Sequence, residues 1–270
     1  MFAMMETTRL ESLHFAQDPR SGLKAIIAIH NSRLGPALGG CRYLPYPDEQ
    51  SAIEDALRLA KGMSYKAALA GLNQGGGKAV IIRPAHVDNR GALFEAFGRF
   101  IETLNGHYIT AMDSGTSSAD MDCIAQHTQH VTSTTSEGDP SPHTAMGVFT
   151  GIRATAMARL GGDNLEGLRV AIQGLGHVGF ALAEQLHAAG AELLVSDLDN
   201  GRVQLAVEQL GARPVACDAL LTTPCDILAP CGLGGAINPQ TVGQLRCAAV
   251  AGAANNQLDS PEMGDQLAAR

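Results

Sequence analysis

The sequence predicts an α/β fold in two units, and three observations carry that expectation. Short apolar runs alternate with segments of helical periodicity. A glycine-rich junction, GLGHVG at 174–179, joins one such run to one such segment. A punctuated stretch, TTSEGDPSPHTAMG at 134–147, separates two halves. Alternating strands and helices favour a layered α/β architecture, and 270 residues leave room for two domains. The expected division is 1–140 and 141–270.

Taken in order, LKAIIAIH at 23–30 is a short apolar run with β-branched residues, hence a strand. GPALGG at 35–40 reads as a loop whose three glycines let a backbone approach a ligand closely. Asp48 is a reasonable helix N-cap with Glu49 in the first turn, and Ile53, Ala56, Leu57, Ala60 and Met63 form one apolar face behind it. The run GGGK reads as a loop closed by Lys78, followed by a buried strand at 79–82 that ends before Pro84. Residues 90–104 have helical spacing through Leu93, Phe97, Phe100 and Leu104; HYITA at 107–111 is a strand, and Asp113 sits just beyond its end.

In the second half a helix is expected over 144–160, able to bridge the two domains. Strand–turn–helix–strand follows as RVAIQ, GLGHVG, FALAEQLHAAG and ELLVSD. CDILA at 225–229 and CAAVA at 247–251 are further parallel-strand candidates. No internal repeat or low-complexity tract is present.

Composition narrows the function. A chain 45% hydrophobic and 17% charged packs as a globule rather than staying disordered. The net charge of -8, with no Lys/Arg block, argues against nucleic acid and anionic membranes as partners. No basic start with an apolar core opens the chain, and no run approaches the length of a membrane helix. The six cysteines show no CxxC spacing, so reduced thiols in a cytoplasm are expected rather than a zinc site or disulfide framework. No ligand cluster among the nine histidines suggests a metal.

GLGHVG carries the context that a bare GxGxxG lacks. Gly174, Gly176 and Gly179 follow a strand-like run and open a helix-like one, and Asp197 ends the next strand eighteen residues past Gly179. Gly174 permits the turn, Gly176 lets a pyrophosphate approach the backbone, and Gly179 lets helix and strand pack closely. The turn Gly174, Leu175, Gly176, His177, Val178, Gly179 and Phe180 is thus the expected cofactor loop, with the helix N-terminus supplying free N–H groups to phosphates. Asp197 would accept from an adenosine ribose and repel a 2′-phosphate, favouring NAD over NADP, although Arg202 lies close by in sequence. The alternative is a glycine-rich turn with no cofactor.

Lys66 and Lys78 are twelve residues apart on either side of the glycine run. Together they could hold a substrate carboxylate and polarise a second oxygen. Lys66 alone also reads as a solvated helix lysine, and Asp113 as a turn residue or helix cap. Lys78, between GGG and AVII, must be desolvated, paired or functional.

In order and context these residues resemble the amino-acid dehydrogenases of the leucine/phenylalanine/valine group, within the wider glutamate dehydrogenase superfamily. The matching stretches are GLKAIIAIHNSRLGPALGGCR, LRLAKGMSYKAALAGLNQGGGKAVII, YITAMDSGTSSADMD, SPHTAMGVFTGI, VAIQGLGHVG, ILAPCGLGGAIN and VAGAANNQL, and they cover nearly the whole chain. Within the group the leucine dehydrogenases look most alike. The resemblance implies an N-terminal α/β domain for substrate binding and oligomerisation, then a Rossmann-type NAD-binding domain, with a cleft between. It implies reversible oxidative deamination of an L-amino acid to a 2-oxo acid and ammonia, with hydride passed to NAD, in a homo-oligomer.

Carried over by position, Lys66 would bind the substrate carboxylate, Lys78 would be the catalytic lysine, and Asp113 would handle protons. Leu38, Gly39, Ala111 and Asn256 would contact substrate. Thr144, the backbone from Ala229 to Cys231, and Asn255 would line the cofactor site, although Thr144 also reads as a helix cap. The methyl of Ala111 should disfavour large aromatic substrates, and no cation matches a glutamate side-chain carboxylate. Branched aliphatic amino acids (leucine, valine, isoleucine) are therefore expected. The alternatives are a relative acting on phenylalanine or another amino acid, and a nucleotide-binding protein without turnover. Family members continue past a segment like NNQLDSPEMGDQLAAR and return to the first domain. The resemblance thus implies that this return segment is absent, with weak or no turnover and reduced stability for the 270-residue form.

Overall fold

A computed structural model describes residues 2–270. The chain divides into two compact units, Met1–Asp139 and Pro140–Arg270. Among the described residues no helix is long and apolar enough to cross a membrane.

The first unit runs α1 (Phe2–Thr8), β1 (Ser12–Asp18), β2 (Leu23–Asn31), β3 (Ala37–Leu44), α2 (Glu49–Leu69), β4 (Gly75–Ile82), α3 (Arg90–Glu102), β5 (Tyr108–Met112) and α4 (Ser118–Ala125). Its sheet has the order β1-β2-β4-β3-β5. β1 and β2 pair antiparallel, as do β2 and β4, whereas β3 runs parallel to both β4 and β5.

Two glycine-rich segments expected to be loops are strand instead. Residues 37–40 of GPALGG open β3, and the glycines before Lys78 are the first residues of β4. The physical reason is close approach. A Cβ at Gly39 would run into the Gly77 carbonyl, one at Gly76 into Ser64 of α2, and one at Gly77 would lie 2.9 Å from the Tyr108 ring. Glycine is needed there because strands and helix press together, and not because the chain turns.

The sheet is covered on both faces. Ala52, Ile53, Ala56, Leu57 and Ala60 of α2 pack on Ile26, Ala28 and Val80, following the spacing that predicts an amphipathic helix. Asp48 caps this helix, its side chain accepting from Ser51 N at 2.7 Å. On the other face Leu93, Phe94, Phe97 and Ile101 of α3 meet Ile27, Cys41, Ala79, Ile81 and Tyr108. Phe94 and Phe97 are fully buried, each contributing about 3 kcal/mol of apolar burial.

The second unit runs α5 (Ser141–Leu160), β6 (Arg169–Gln173), α6 (His177–Ala188), β7 (Glu192–Ser196), α7 (Asn200–Leu210), β8 (Arg213–Pro214), β9 (Ile227–Pro230), β10 (Ala249–Val250) and α8 (Pro261–Ala268). α5 begins before residue 144 because Pro142 suits a first helical turn, and it stops at Gly161, whose φ of 83° ends the helix. The five strands are all parallel in the order β10-β9-β6-β7-β8. This is the doubly wound arrangement in which the first strand lies at the centre. Ala145, Ile152 and Ala156 of α5 and Leu182, Ala183 and Leu186 of α6 cover one face. Leu220, Val242, Leu245 and Met263 cover the other. Strands buried on both faces read as continuous apolar runs, which is why RVAI and ELLV are legible in the sequence.

Candidate active site

On the α2 face of the first sheet lies a group of charges that water barely reaches. Lys78 is 3% exposed in β4, and Arg42 is 4% exposed in β3. Alternation along the strands puts both on the side of Val80 and Ala28, under α2. Lys78 Nζ is ion-paired with Asp113 Oδ2, and the same oxygen lies 3.6 Å from Arg42 Nε. Arg42 Nη1 meets Asp55 Oδ2 of α2 at 2.8 Å, and the Tyr46 hydroxyl donates to that oxygen at 2.6 Å.

The charges perturb one another. Burial drives the Lys78 pKa below its ordinary value; Asp113 opposes this, while Arg42 adds to it. Burial would raise the Asp113 pKa, but Lys78 and Arg42 outweigh it and hold the carboxyl at about 2. Burial would lower Arg42, yet Asp113 and Asp55 together raise it. Tyr46 is pushed well up, by burial first and then by its bond to Asp55.

Asp113 is held from the backbone as well. The buried Thr116 hydroxyl accepts from Asp113 N–H at 2.9 Å and lies within donating distance of the Asp113 and Cys41 carbonyls. Ser117 and Asp120 then close a capping box on α4, and Arg90 clamps Asp120 at 2.7 and 2.8 Å. The carboxylate therefore stands on a turn pinned at both ends. Gly40 lies beside it: a Cβ there would be 2.6 Å from the Asp113 Cβ.

Among the other expected substrate contacts, Leu38 pairs with Ile109 and Gly40 with Ala111, so Leu38 and Ala111 share the face of Arg42. Gly39 is buried, and its carbonyl accepts from Tyr108 at 2.5 Å. Lys66 is exposed on the last turn of α2, the helix over this face. Asn256 belongs to the second unit. Sequence reading missed Arg42, Asp55, Tyr46 and Thr116. The available signal was an arginine two residues past a glycine pair inside an otherwise apolar strand.

In the second unit the glycine loop follows the strand end. Gly174 has φ 95°, and a Cβ at Gly179 would collide with the Gly174 carbonyl. A Cβ at Gly176 would meet nothing nearer than Arg202 Nη1 at 3.6 Å, so the mouth of the loop is open. Leu175 sends its side chain into the core while its N–H donates to Asp197 Oδ2 at 2.6 Å. Asp199 N–H donates to the other oxygen at 2.8 Å. His177, Val178 and Phe180 form the first turn of α6, with His177 exposed. Cys231 N–H donates to the Gln173 carbonyl at 2.7 Å, placing the end of β9 beside Gly174. Asn255 and Asn256 pack on Gly234, and Gly235 N–H donates to the Asn256 carbonyl at 2.8 Å. The Thr144 hydroxyl reaches its own helix start, the Pro140 carbonyl, at 3.2 Å.

Comparison with known proteins places the chain in a family. Residues 9–130 match the model described as Glu/Leu/Phe/Val dehydrogenase, dimerisation domain. A leucine dehydrogenase of Bacillus subtilis (strain 168) is 52% identical over 99% of this chain and 74% of its own length. The chain belongs to the Glu/Leu/Phe/Val dehydrogenase family. A phenylalanine dehydrogenase of Bacillus thermotolerans is 44% identical over 96% of this chain and 70% of its own length. The crystal structure of L-tryptophan dehydrogenase from Nostoc punctiforme superposes with a TM-score of 0.73 at 40% identity, covering 100% of this chain and 78% of that one. A hetero-hexameric glutamate dehydrogenase from Thermus thermophilus shares the fold, with a TM-score of 0.77 at 22% identity over 99% of this chain and 76% of that one. As a family member this dehydrogenase is an amino-acid dehydrogenase, and it spans about three-quarters of its relatives' length.

Proposed function

We propose that this protein catalyses the reversible, NAD-dependent oxidative deamination of branched-chain L-amino acids to 2-oxo acids and ammonia. The observation that carries the reading is the buried Lys78–Asp113 pair, with Lys78 pushed toward its neutral form and Asp113 held as a carboxylate. A buried lysine whose proton is loosened, set beside a carboxylate that stays ionised, places a base and a proton acceptor at one site.

On this reading Lys66 takes the substrate carboxylate. Asp113 accepts a proton from the substrate ammonium, which frees a nitrogen lone pair to form the C=N bond as hydride leaves Cα. Neutral Lys78 then removes a proton from the water that adds to the iminium carbon. Asp113 returns its proton to the nitrogen, and as the carbinolamine collapses its hydroxyl proton passes to the freed Asp113 carboxylate, releasing ammonia and the 2-oxo acid. Charged Lys78 stabilises the developing carbonyl oxygen. Bound NAD supplies the hydride acceptor.

The second unit fits that cofactor. Gly176 leaves room for a pyrophosphate, the N-terminus of α6 faces the loop, and the Asp197 carboxylate is oriented by Leu175 and Asp199 so that its remaining lone pairs can accept from a ribose. Thr144, Cys231 and Asn255 take the nicotinamide side. Leu38, Gly39, Ala111 and Asn256 take the substrate. The same carboxylate at Asp197 disfavours a 2′-phosphate. The enzyme works in the cytoplasm as a homo-oligomer assembled through its first unit, with its six cysteines as free thiols.

The test is a panel of initial rates with leucine, valine, isoleucine, phenylalanine and glutamate, each with NAD and with NADP. The highest kcat/KM is expected for an aliphatic substrate with NAD. Preference for phenylalanine or glutamate contradicts the substrate assignment, and preference for NADP contradicts the cofactor.

A further inference from the structure

Arg42 is the charge that the proposed chemistry leaves unused. A guanidinium cannot shed its proton, so one that is 4% exposed must be compensated by anions. Asp55 supplies one at 2.8 Å and is itself fixed by Tyr46. The second face of the guanidinium is incomplete. Arg42 Nε is buried and makes no hydrogen bond, yet it lies 3.6 Å from Asp113 Oδ2, the oxygen that Lys78 holds.

This geometry matters when Lys78 becomes neutral. At that moment Asp113 loses its cation inside a dry site, where an uncompensated carboxylate is costly. Arg42 Nε needs a carboxylate shift of only about 0.5 Å to form an ordinary hydrogen bond. We propose that Arg42, anchored by Asp55 and Tyr46, is a positioning residue that takes over the Asp113 carboxylate when Lys78 gives up its proton. It rests on the reading of Lys78 and Asp113 as the catalytic pair. Arg42 touches neither substrate nor cofactor on that reading; it acts through Asp113.

The charged and titratable groups facing Asp113 are Lys78 from β4, Arg42 and Cys41 from β3, Tyr108 from β5, and Asp55 from α2 with Tyr46 beside it; Asp120 of α4, paired with Arg90 of α3, stands behind Cys41. Of these, only Lys78 and Arg42 pull Asp113 down appreciably. Arg42 also repels the Lys78 proton. Its loss therefore moves both titrations upward.

The experiment is a pH titration by NMR of the full chain carrying 13C-labelled Asp carboxyl and Lys Cε atoms, in wild type, Lys78→Ala, Arg42→Met and Arg42→Lys, with leucine-dependent kcat/KM measured over the same pH range. In Lys78→Ala the freed carboxylate is expected to close the 3.6 Å gap to Arg42 Nε and so still to titrate below its ordinary 3.8. In Arg42→Met the Asp113 and Lys78 signals both move up by at least about one pH unit, the ascending limb of kcat/KM moves with them, and kcat/KM at neutral pH falls at least about tenfold. Arg42→Lys keeps the charge and recovers most of both effects. Asp113 titrating at or above 3.8 in Lys78→Ala overturns the proposal, as do unmoved signals in Arg42→Met or an Arg42→Lys variant no better than Arg42→Met. The Lys78→Ala arm stands even if Arg42→Met does not fold. Undiminished turnover in Lys78→Ala would instead sink the catalytic pair while leaving the hold of Arg42 on Asp113 measurable.

Discussion

Replacing Gly40 by alanine changes no charge and no hydrogen bond, yet it should cripple the enzyme. An alanine Cβ would stand 2.6 Å from the Asp113 Cβ and 3.1 Å from the Met112 carbonyl oxygen. Carbon atoms rest about 3.5–4.0 Å apart, so Asp113 or β3 must give way by about 1 Å. Thr116 and the capping box on α4 hold the Asp113 turn firmly, so the strain falls on the carboxylate and its pairing with Lys78. A misplacement of about 1 Å in a catalytic group costs on the order of 100-fold, and overpacking of this kind costs about 1–3 kcal/mol of stability. Leucine-dependent NADH formation, followed beside urea unfolding, measures both. The control is Gly151→Ala in α5, where a Cβ meets nothing within 4 Å and up to about 1 kcal/mol of stability is gained. A Gly40→Ala enzyme with kcat/KM within threefold of wild type would show that Asp113 need not stand where the fold puts it.

Other variants probe separate links. Asp197→Ser should raise the ratio of NADP to NAD use at least about tenfold, because it removes a carboxylate and leaves Arg202 near Gly176; an unchanged ratio would free Asp197 of cofactor selection. Ala111→Gly should raise the phenylalanine-to-leucine ratio of kcat/KM by about fivefold, one methyl being worth about 1 kcal/mol; no change places the pocket elsewhere. Asp113 also links stability to acid. Its pKa falls from 3.8 unfolded to about 2 folded, so its contribution is fully present above the unfolded value and is lost as pH falls through the folded one. The difference in unfolding free energy between wild type and Asp113→Asn should therefore shrink by about 2 kcal/mol between pH 5 and pH 2, and a pH-independent gap would contradict the pairing.

Much of this was legible in the sequence, and unevenly so. The second unit was the clearest, because strands buried on both faces spell themselves as unbroken apolar runs and the turn at Gly174 needs a positive φ. The first unit hid β3 and the start of β4 behind glycines at 37–40 and 75–77, which serve close packing and look like loops in one dimension. Lys78 was conspicuous as an ammonium set into an apolar run. Arg42 was not. Its partners Asp55 and Asp113 lie on α2 and beyond β5, and only the sheet order β4-β3-β5 with α2 above brings them to it. Lys66, exposed on a helix end, has no local feature that separates it from a solvated lysine.

The role of Lys78 can be read from one comparison. Absorbance at 340 nm is followed after leucine is added to wild type and to Lys78→Ala, with NAD binding checked independently in both. Wild type should form NADH, and Lys78→Ala should bind NAD as well yet turn over at least about 1,000-fold more slowly. Equal rates in the two would mean that the ammonium buried beside Asp113 holds the sheet together and takes no part in the chemistry.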